Sequence, residues 1–182
     1  MPNIRHTQAK RLFDSVRAVA GDDTANELLD LLPLPKTPSE KQKAASMQAS
    51  CDALNVRFDP QTVDVIRKSC HCKPSPAHVQ AMKRLYESSA DLRDFADHAT
   101  AQANGAFRIE AHGDALRLIY PRCYCSFVKH SETQPPKAWC ACSLGYAEDM
   151  FASVTSRPVV AALLKSVAQG DSECVIQITL KT

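Results

Sequence analysis

The chain opens with apolar residues spaced three and four apart and closes with apolar residues spaced two apart. In the first part, Leu12, Phe13, Val16 and Val19 share one face of a helix over residues 4–20, which Gly21 stops. Asp22 or Asp23 caps a short second helix carrying Ala25, Leu28, Leu29 and Leu32. Pro33-Leu34-Pro35 ends it, because proline lacks the donor a helix interior needs. A third helix is expected from near Thr37-Pro38-Ser39-Glu40, with the stripe Ala44, Met47, Cys51, Leu54 and Phe58. Asp59-Pro60 opens a fourth, with Val63, Ile66 and Cys70 on one face, and Lys73-Pro74 closes it, leaving Cys72 in the exit turn. A fifth starts near Pro76 with Val79, Met82 and Tyr86 inward, and Asp91 caps a sixth carrying Leu92, Phe95, Ala96 and Ala99. Residues 1–102 are therefore expected to form a helical segment.

The period then changes from 3.6 to two. Phe107, Ile109 and Ala111 alternate with Arg108 and Glu110, as in a strand with one wet face. His112-Gly113-Asp114 supplies a hairpin turn, and Leu116, Leu118 and Tyr120 form the return strand. A helix is expected from about Ser143 to Val154, burying Leu144, Ala147, Met150 and Phe151. Residues 158–169 read both ways. Proline near the start, interior Ala and Leu, and Gly170 as a C-cap favour a helix, whereas Val159, Val160 and Val167 favour a strand. The last strand has Cys174, Ile176, Ile178 and Leu180 on one face. Cys51 and Cys174 both fall on apolar faces and read as core residues.

Composition narrows the class without naming a function. The 182 residues, 45% hydrophobic and 23% charged, suit one domain, or a helical segment attached to a small α+β domain. The longest apolar run, Val159–Leu164, is far too short to span a bilayer. The N-terminal MPNIRHTQAKRLF carries charges where a signal peptide needs an apolar block, which places the protein in the cytosol. A net charge of +2, with no basic run interleaved with aromatics, gives no footprint for nucleic acid.

The cysteines carry the chemistry. Six of the eight fall into three copies of one spacing: Cys70/Cys72, Cys123/Cys125 and Cys140/Cys142. In a reducing compartment paired thiols serve as metal ligands or redox groups more often than as structural disulfides. Residues two apart in an extended segment point the same way, with Cα atoms about 6.5–7 Å apart. A slight bend lets both sulfurs reach one zinc ion at about 2.3 Å, whereas a disulfide within such a pair needs distorted geometry. Two pairs at the ends of one loop supply four thiolates, and their net negative charge could be offset by Arg122, Lys129 and Lys137. A helix starting near Ser143 would aim its N-terminal dipole at Cys142 and favour the thiolate there. His71 and His130 are further candidate ligands, although a lone histidine is more often an exposed polar residue. Six thiols exceed the need of one zinc, so a spare pair, a second metal or redox thiols all stay open.

The C-terminal stretches RCYCSFV, WCACSLGYAEDMF and RPVVAALLKSVAQGDSECVIQITL resemble the 4-vinyl reductase type small-molecule-binding domain over residues 105–182. The superfamily that these stretches resemble also includes sensor domains of aromatic-responsive bacterial regulators and aminothiazoline carboxylate hydrolase-like proteins. The resemblance rests on Ser143-Leu144-Gly145-Tyr146 before a helix, on Arg157-Pro158-Val159 at a strand start, and on Gly170-Asp171 followed by Cys174. It implies a strand over the ambiguous segment, paired with 173–181. The fold class expected is then α+β: an N-terminal helical segment, residues 1–102, and an antiparallel sheet of two β-hairpins with a helix between them, residues 103–182. It also implies a cysteine-rich zinc site near the helix start, where Cys140 and Cys142 stand. The chain departs from the sensor pattern in its Cys-x-Cys pairs and in lacking a ligand glutamate.

Three functions follow as expectations. One is a zinc-binding protein with a pocket for a small apolar ligand, lined by Phe107, Ile109, Leu116, Leu118 and Phe151, residues that serve equally well as core. A second is an enzyme, either a thiol hydrolase using Cys142 with His112 or His130 as base, or an iron–sulfur redox protein. A third is a regulator in which the helical segment serves a partner or a homodimer.

Overall fold

The structure, a computed structural model, describes residues 7–30, 35 and 37–181. These residues form an α+β fold with six α-helices and one four-stranded antiparallel sheet among them, five of the helices preceding the first strand. The expected Leu32 and Pro33-Leu34 helix end lies outside the described residues. The chain forms two compact units that interleave along the sequence. The first comprises the described residues of Met1–His71 with Tyr124–Cys142, and the second comprises Cys72–Cys123 with the described residues of Ser143–Thr182.

The first unit is built from three helices. α1 (Thr7–Asp30) is two helices merged across Gly21, whose φ of 84° and ψ of 172° interrupt the helical path. That conformation is accessible to glycine and strained for other residues, which is why the chain turns there. α2 (Glu40–Arg57) begins with a capping box, the Ser39 and Gln42 side chains each accepting the other's backbone N–H. α3 (Pro60–Ser69) has Asp59 as N-cap and proline in its first turn. Leu12, Phe13 and Val16 of α1 pack with Leu54 of α2 and with Val63 and Ile66 of α3. The buried Ser15 hydroxyl donates to the Ile66 carbonyl at 2.7 Å, tying α1 to α3.

The second unit holds the sheet. α4 (Pro76–Ser88) and α5 (Leu92–Gln102) are capped by Ser75 and Asp91. β1 (Arg108–His112) and β2 (Ala115–Tyr120) form the expected hairpin, with Gly113 at φ 58° in its turn. After α6 (Ala141–Thr155), β3 (Val159–Lys165) and β4 (Cys174–Leu180) form the second hairpin, and the strand order is β1-β2-β4-β3. The ambiguous segment is thus a strand over Val159–Lys165, followed by a 3-10 turn over Val167–Gln169. Pairing of Ala161 with Ile178 and of Leu163 with Ile176 outweighs its local helical preference. Phe95, Leu116, Ala147, Phe151, Ile176 and Ile178 lie at the centre of the core of this unit.

Both outer strands of the sheet are held by side chains from helices. On the β1 side, Thr100 Oγ1 of α5 accepts from the Ile109 N–H at 2.8 Å and donates to its carbonyl at 3.1 Å. On the β3 side, the Ala161 N–H donates to Glu148 Oε1 of α6 at 2.9 Å.

Candidate metal centre

Five of the eight cysteines belong to the first unit: Cys51, Cys70, Cys125, Cys140 and Cys142. α2 delivers Cys51, which is wholly buried, as its place on the apolar stripe requires. α3 ends at Cys70, its C-cap residue, buried beside Ile66. The segment between β2 and α6 delivers Cys125, and the 3-10 turn Lys137–Cys140 delivers Cys140. Phe127 and Trp139 anchor that segment, meeting edge to face at 6.4 Å against Ala44, Met47 and Cys51. The Trp139 indole N–H donates to Cys125 Sγ at 3.5 Å, and the Cys142 thiol donates to the Trp139 carbonyl at 3.5 Å.

At the middle of these thiols sits Arg67, with no exposed surface. Its Nε donates to the Ala138 carbonyl and its Nη2 to the Trp139 carbonyl, each at 3.2 Å, and its Nη1 donates to Cys70 Sγ at 3.2 Å. Among the described residues no carboxylate pairs with it. Burying a guanidinium is costly unless an opposite charge is nearby. Burial alone would lower its pKa, but Cys70, Cys51, Cys142 and Cys125 outweigh that and hold it above its ordinary value. Sequence reading overlooked Arg67. Its signal is positional: it stands four residues after Val63 and three before Cys70, on the apolar face of α3.

The thiols respond to the same surroundings. Burial pushes Cys51 up to about 11, with Arg67 pulling the other way and Cys70 and Cys140 adding to the rise. Burial likewise pushes Cys142 up to about 12 against the pull of Arg67. The expected dipole effect on Cys142 does not prevail. The helix begins at Ala141, so Cys142 lies within its first turn, and burial is the largest influence on its thiol. Among the described residues, no three His, Cys, Asp or Glu side chains already converge as a metal site.

The remaining candidates are distributed as follows. Cys72, exposed, and Cys123, half-buried, belong to the second unit. His71 is buried rather than exposed, its Nδ1 2.6 Å from the Lys68 carbonyl, while His130 and His112 are exposed. Lys129, Lys137 and Arg122 are exposed, so the buried charge beside the thiols is Arg67 instead. Cys174 is half-buried and hydrogen-bonded, not a core residue. Ile109, Leu116, Leu118 and Phe151 are buried in the core of the second unit with Phe107 packed against them. A mostly apolar cavity of about 40 Å³ lies in the first unit, between α1, α2 and Phe127.

A protein-family comparison matches residues 1–182 to DUF6144, a family of unknown function, and the chain belongs to that family. None of the curated proteins matches the chain. Among solved structures, the H-NOX domain from Shewanella oneidensis in its Fe(II)CO state is 15% identical, covering 98% of this chain and 99% of that one at a TM-score of 0.47. A trafficking protein particle complex subunit 3 from Naegleria fowleri, covalently bound to palmitic acid, is 10% identical over 79% of this chain and 95% of its own, at 0.47. The phenol-responsive sensory domain of the transcription activator PoxR is 10% identical over 88% and 90%, at 0.42. These likenesses are too weak to carry a reading of this chain.

Proposed function

We propose that the first unit is a thiolate metal centre, with zinc bound by Cys70, Cys125, Cys140 and Cys142 and with Cys51 and Arg67 beside it. The observation that carries the reading is the buried guanidinium of Arg67, which has thiols around it and, among the described residues, no carboxylate paired with it. Four thiolates on Zn²⁺ leave a net charge of minus two, the complement that a buried cation lacks in a set of neutral thiols. The raised pKa of Cys142 means that the metal itself must displace the proton, so binding releases protons and weakens as pH falls. The four thiols do not converge as they stand, so closing the site requires their side chains to move. The same raised pKa argues against Cys142 as a hydrolytic nucleophile, since the thiolate is the reactive form.

The reading includes a reducing compartment, the cytosol, in which the thiols stay available; no described helix is long and apolar enough to cross a membrane. A small apolar ligand for the second unit is supported by the resemblance of residues 105–182 to the 4-vinyl reductase type domain. The test is elemental analysis of anaerobically purified protein together with its absorption spectrum. One colourless zinc per chain, lost when Cys140 and Cys142 are both replaced by serine, is expected. A brown protein with visible absorbance would mean iron and sulfur instead, and a metal-free protein of equal stability would sink the reading.

A further inference from the structure

The second unit holds a separate pair of thiols. Cys174 opens β4 opposite Tyr120, the last residue of β2, so Cys123, three residues further on, comes to the same end of the sheet. The two side chains are hydrogen-bonded to each other. Cys174 Sγ also accepts from the Val167 N–H at 3.4 Å and from the Ser166 side chain. The segment that supplies these donors is tied down, because the Ser166 N–H donates to Asp171 Oδ2 at 2.7 Å and the Ser166 carbonyl accepts from Gln169 and Asp171. Both cysteines are half-buried, so the pair is reachable from solvent.

We infer that Cys174 and Cys123 form a dithiol–disulfide exchange site for low-molecular-weight disulfides, with Cys174 attacking and Cys123 resolving. The Cys174 thiolate attacks one sulfur of R–S–S–R, forming Cys174–S–S–R and expelling RS⁻. Cys123 then gives its proton to solvent and attacks the Cys174 sulfur, closing the Cys123–Cys174 bond and expelling the second RS⁻. Two protein thiols are oxidised, and one external disulfide is reduced to two thiols. The assignment of roles follows the donors: three groups converge on the Cys174 sulfur. The Cys123 hydrogen bond, followed by the Val167 and Ser166 donors, lowers the Cys174 thiol to about 6, against burial and the Asp171 carboxylate. At pH 6 an ordinary thiol is almost wholly protonated. The larger thiolate fraction of Cys174, less its lower intrinsic nucleophilicity, leaves it roughly tenfold faster. The site shares no ligand with the proposed metal centre.

The experiment uses the full chain as purified with its metal, exposed to oxidised glutathione at pH 6, quenched in acid and mapped by peptide mass spectrometry. The expected product is the Cys123–Cys174 disulfide, with metal content unchanged. Cys123→Ser is expected to accumulate a glutathione adduct on Cys174, and Cys174→Ser to leave Cys123 reacting roughly tenfold more slowly. Adduct formation on Cys123 at an unchanged rate in Cys174→Ser, or a different cysteine pair oxidised first, would overturn the inference. Should either variant misfold, iodoacetamide labelling of the unaltered protein at pH 6 decides: Cys174 must be the fastest of the eight thiols, and any slower rank refutes it.

Discussion

Arg67 Nη1 donates to Cys70 Sγ at 3.2 Å, one helical turn away, with both side chains buried. The same turn sends the other two arms of the guanidinium to the carbonyls of Ala138 and Trp139, so one side chain ties the end of α3 to the segment that delivers Cys140 and Cys142. If that charge balances a thiolate centre, replacing Arg67 with methionine should weaken zinc binding by about 10–100-fold, the usual cost of losing a group that supports the ligands. Competition against a chromophoric chelator measures it. Arg67→Lys should recover only part of the affinity, since an ammonium cannot reach three acceptors in a plane. Unchanged affinity in Arg67→Met would separate the arginine from the metal.

The metal-free protein should lose stability in alkali. Burial holds Cys51 at about 11 and Cys142 at about 12 in the folded chain, above the ordinary value of 9.0. Below pH 9 both states keep these protons and the contribution is fully present. Above it the unfolded chain releases them first, so stability falls as pH rises towards 11 and 12. Urea midpoints of metal-free protein between pH 8 and about 11 should therefore decline, and Cys51→Ala should flatten the decline. A midpoint that rose across that range would contradict the burial of these thiols.

Gly21 offers a test of backbone strain free of side-chain packing. A Cβ there would meet nothing within 4 Å, yet φ 84° with ψ 172° is a glycine conformation. Gly21→Ala should cost about 1–3 kcal/mol, read from urea unfolding. A neutral result would mean that α1 runs straight through this position.

Thr100 is the fourth test. Valine at this position keeps the shape and removes both hydrogen bonds to Ile109, leaving that N–H without its partner. The expected loss is about 1–3 kcal/mol, with faster amide exchange at Ile109 as the local signature.

Much of this architecture was legible because it depends on local chemistry. Ser39, Asp59 and Asp91 announced three helix starts through side chains that take up free backbone N–H groups, and Gly21 and Gly113 marked turns by their conformational range. The β3 segment was not legible locally, since its Ala and Leu residues suit either period and its pairing with β4 decides; the resemblance to a known domain supplied that pairing. The start of α6 at Ala141 instead of Ser143 was missed because the 3-10 turn before it runs directly into the helix. At the candidate centre, spacing singled out the paired cysteines. Two features depend on chain crossing that no periodicity reveals: the arginine that thiols surround, and the partnership of Cys174 with Cys123. Cys51 read as an ordinary core residue because its stripe is apolar; its electrostatic link to Arg67 comes only with the fold.

The threonine on one side of the sheet and the glutamate on the other have a consequence for assembly. An outer strand normally offers a ladder of open backbone groups on which another chain can dock and extend the sheet. Here Ile109 and Ala161, in the middle of the two outer strands, already spend those groups on Thr100 and Glu148. A second copy adding a strand would first have to displace a helix side chain. Each margin of the sheet is therefore obstructed at its middle against a second copy adding a strand.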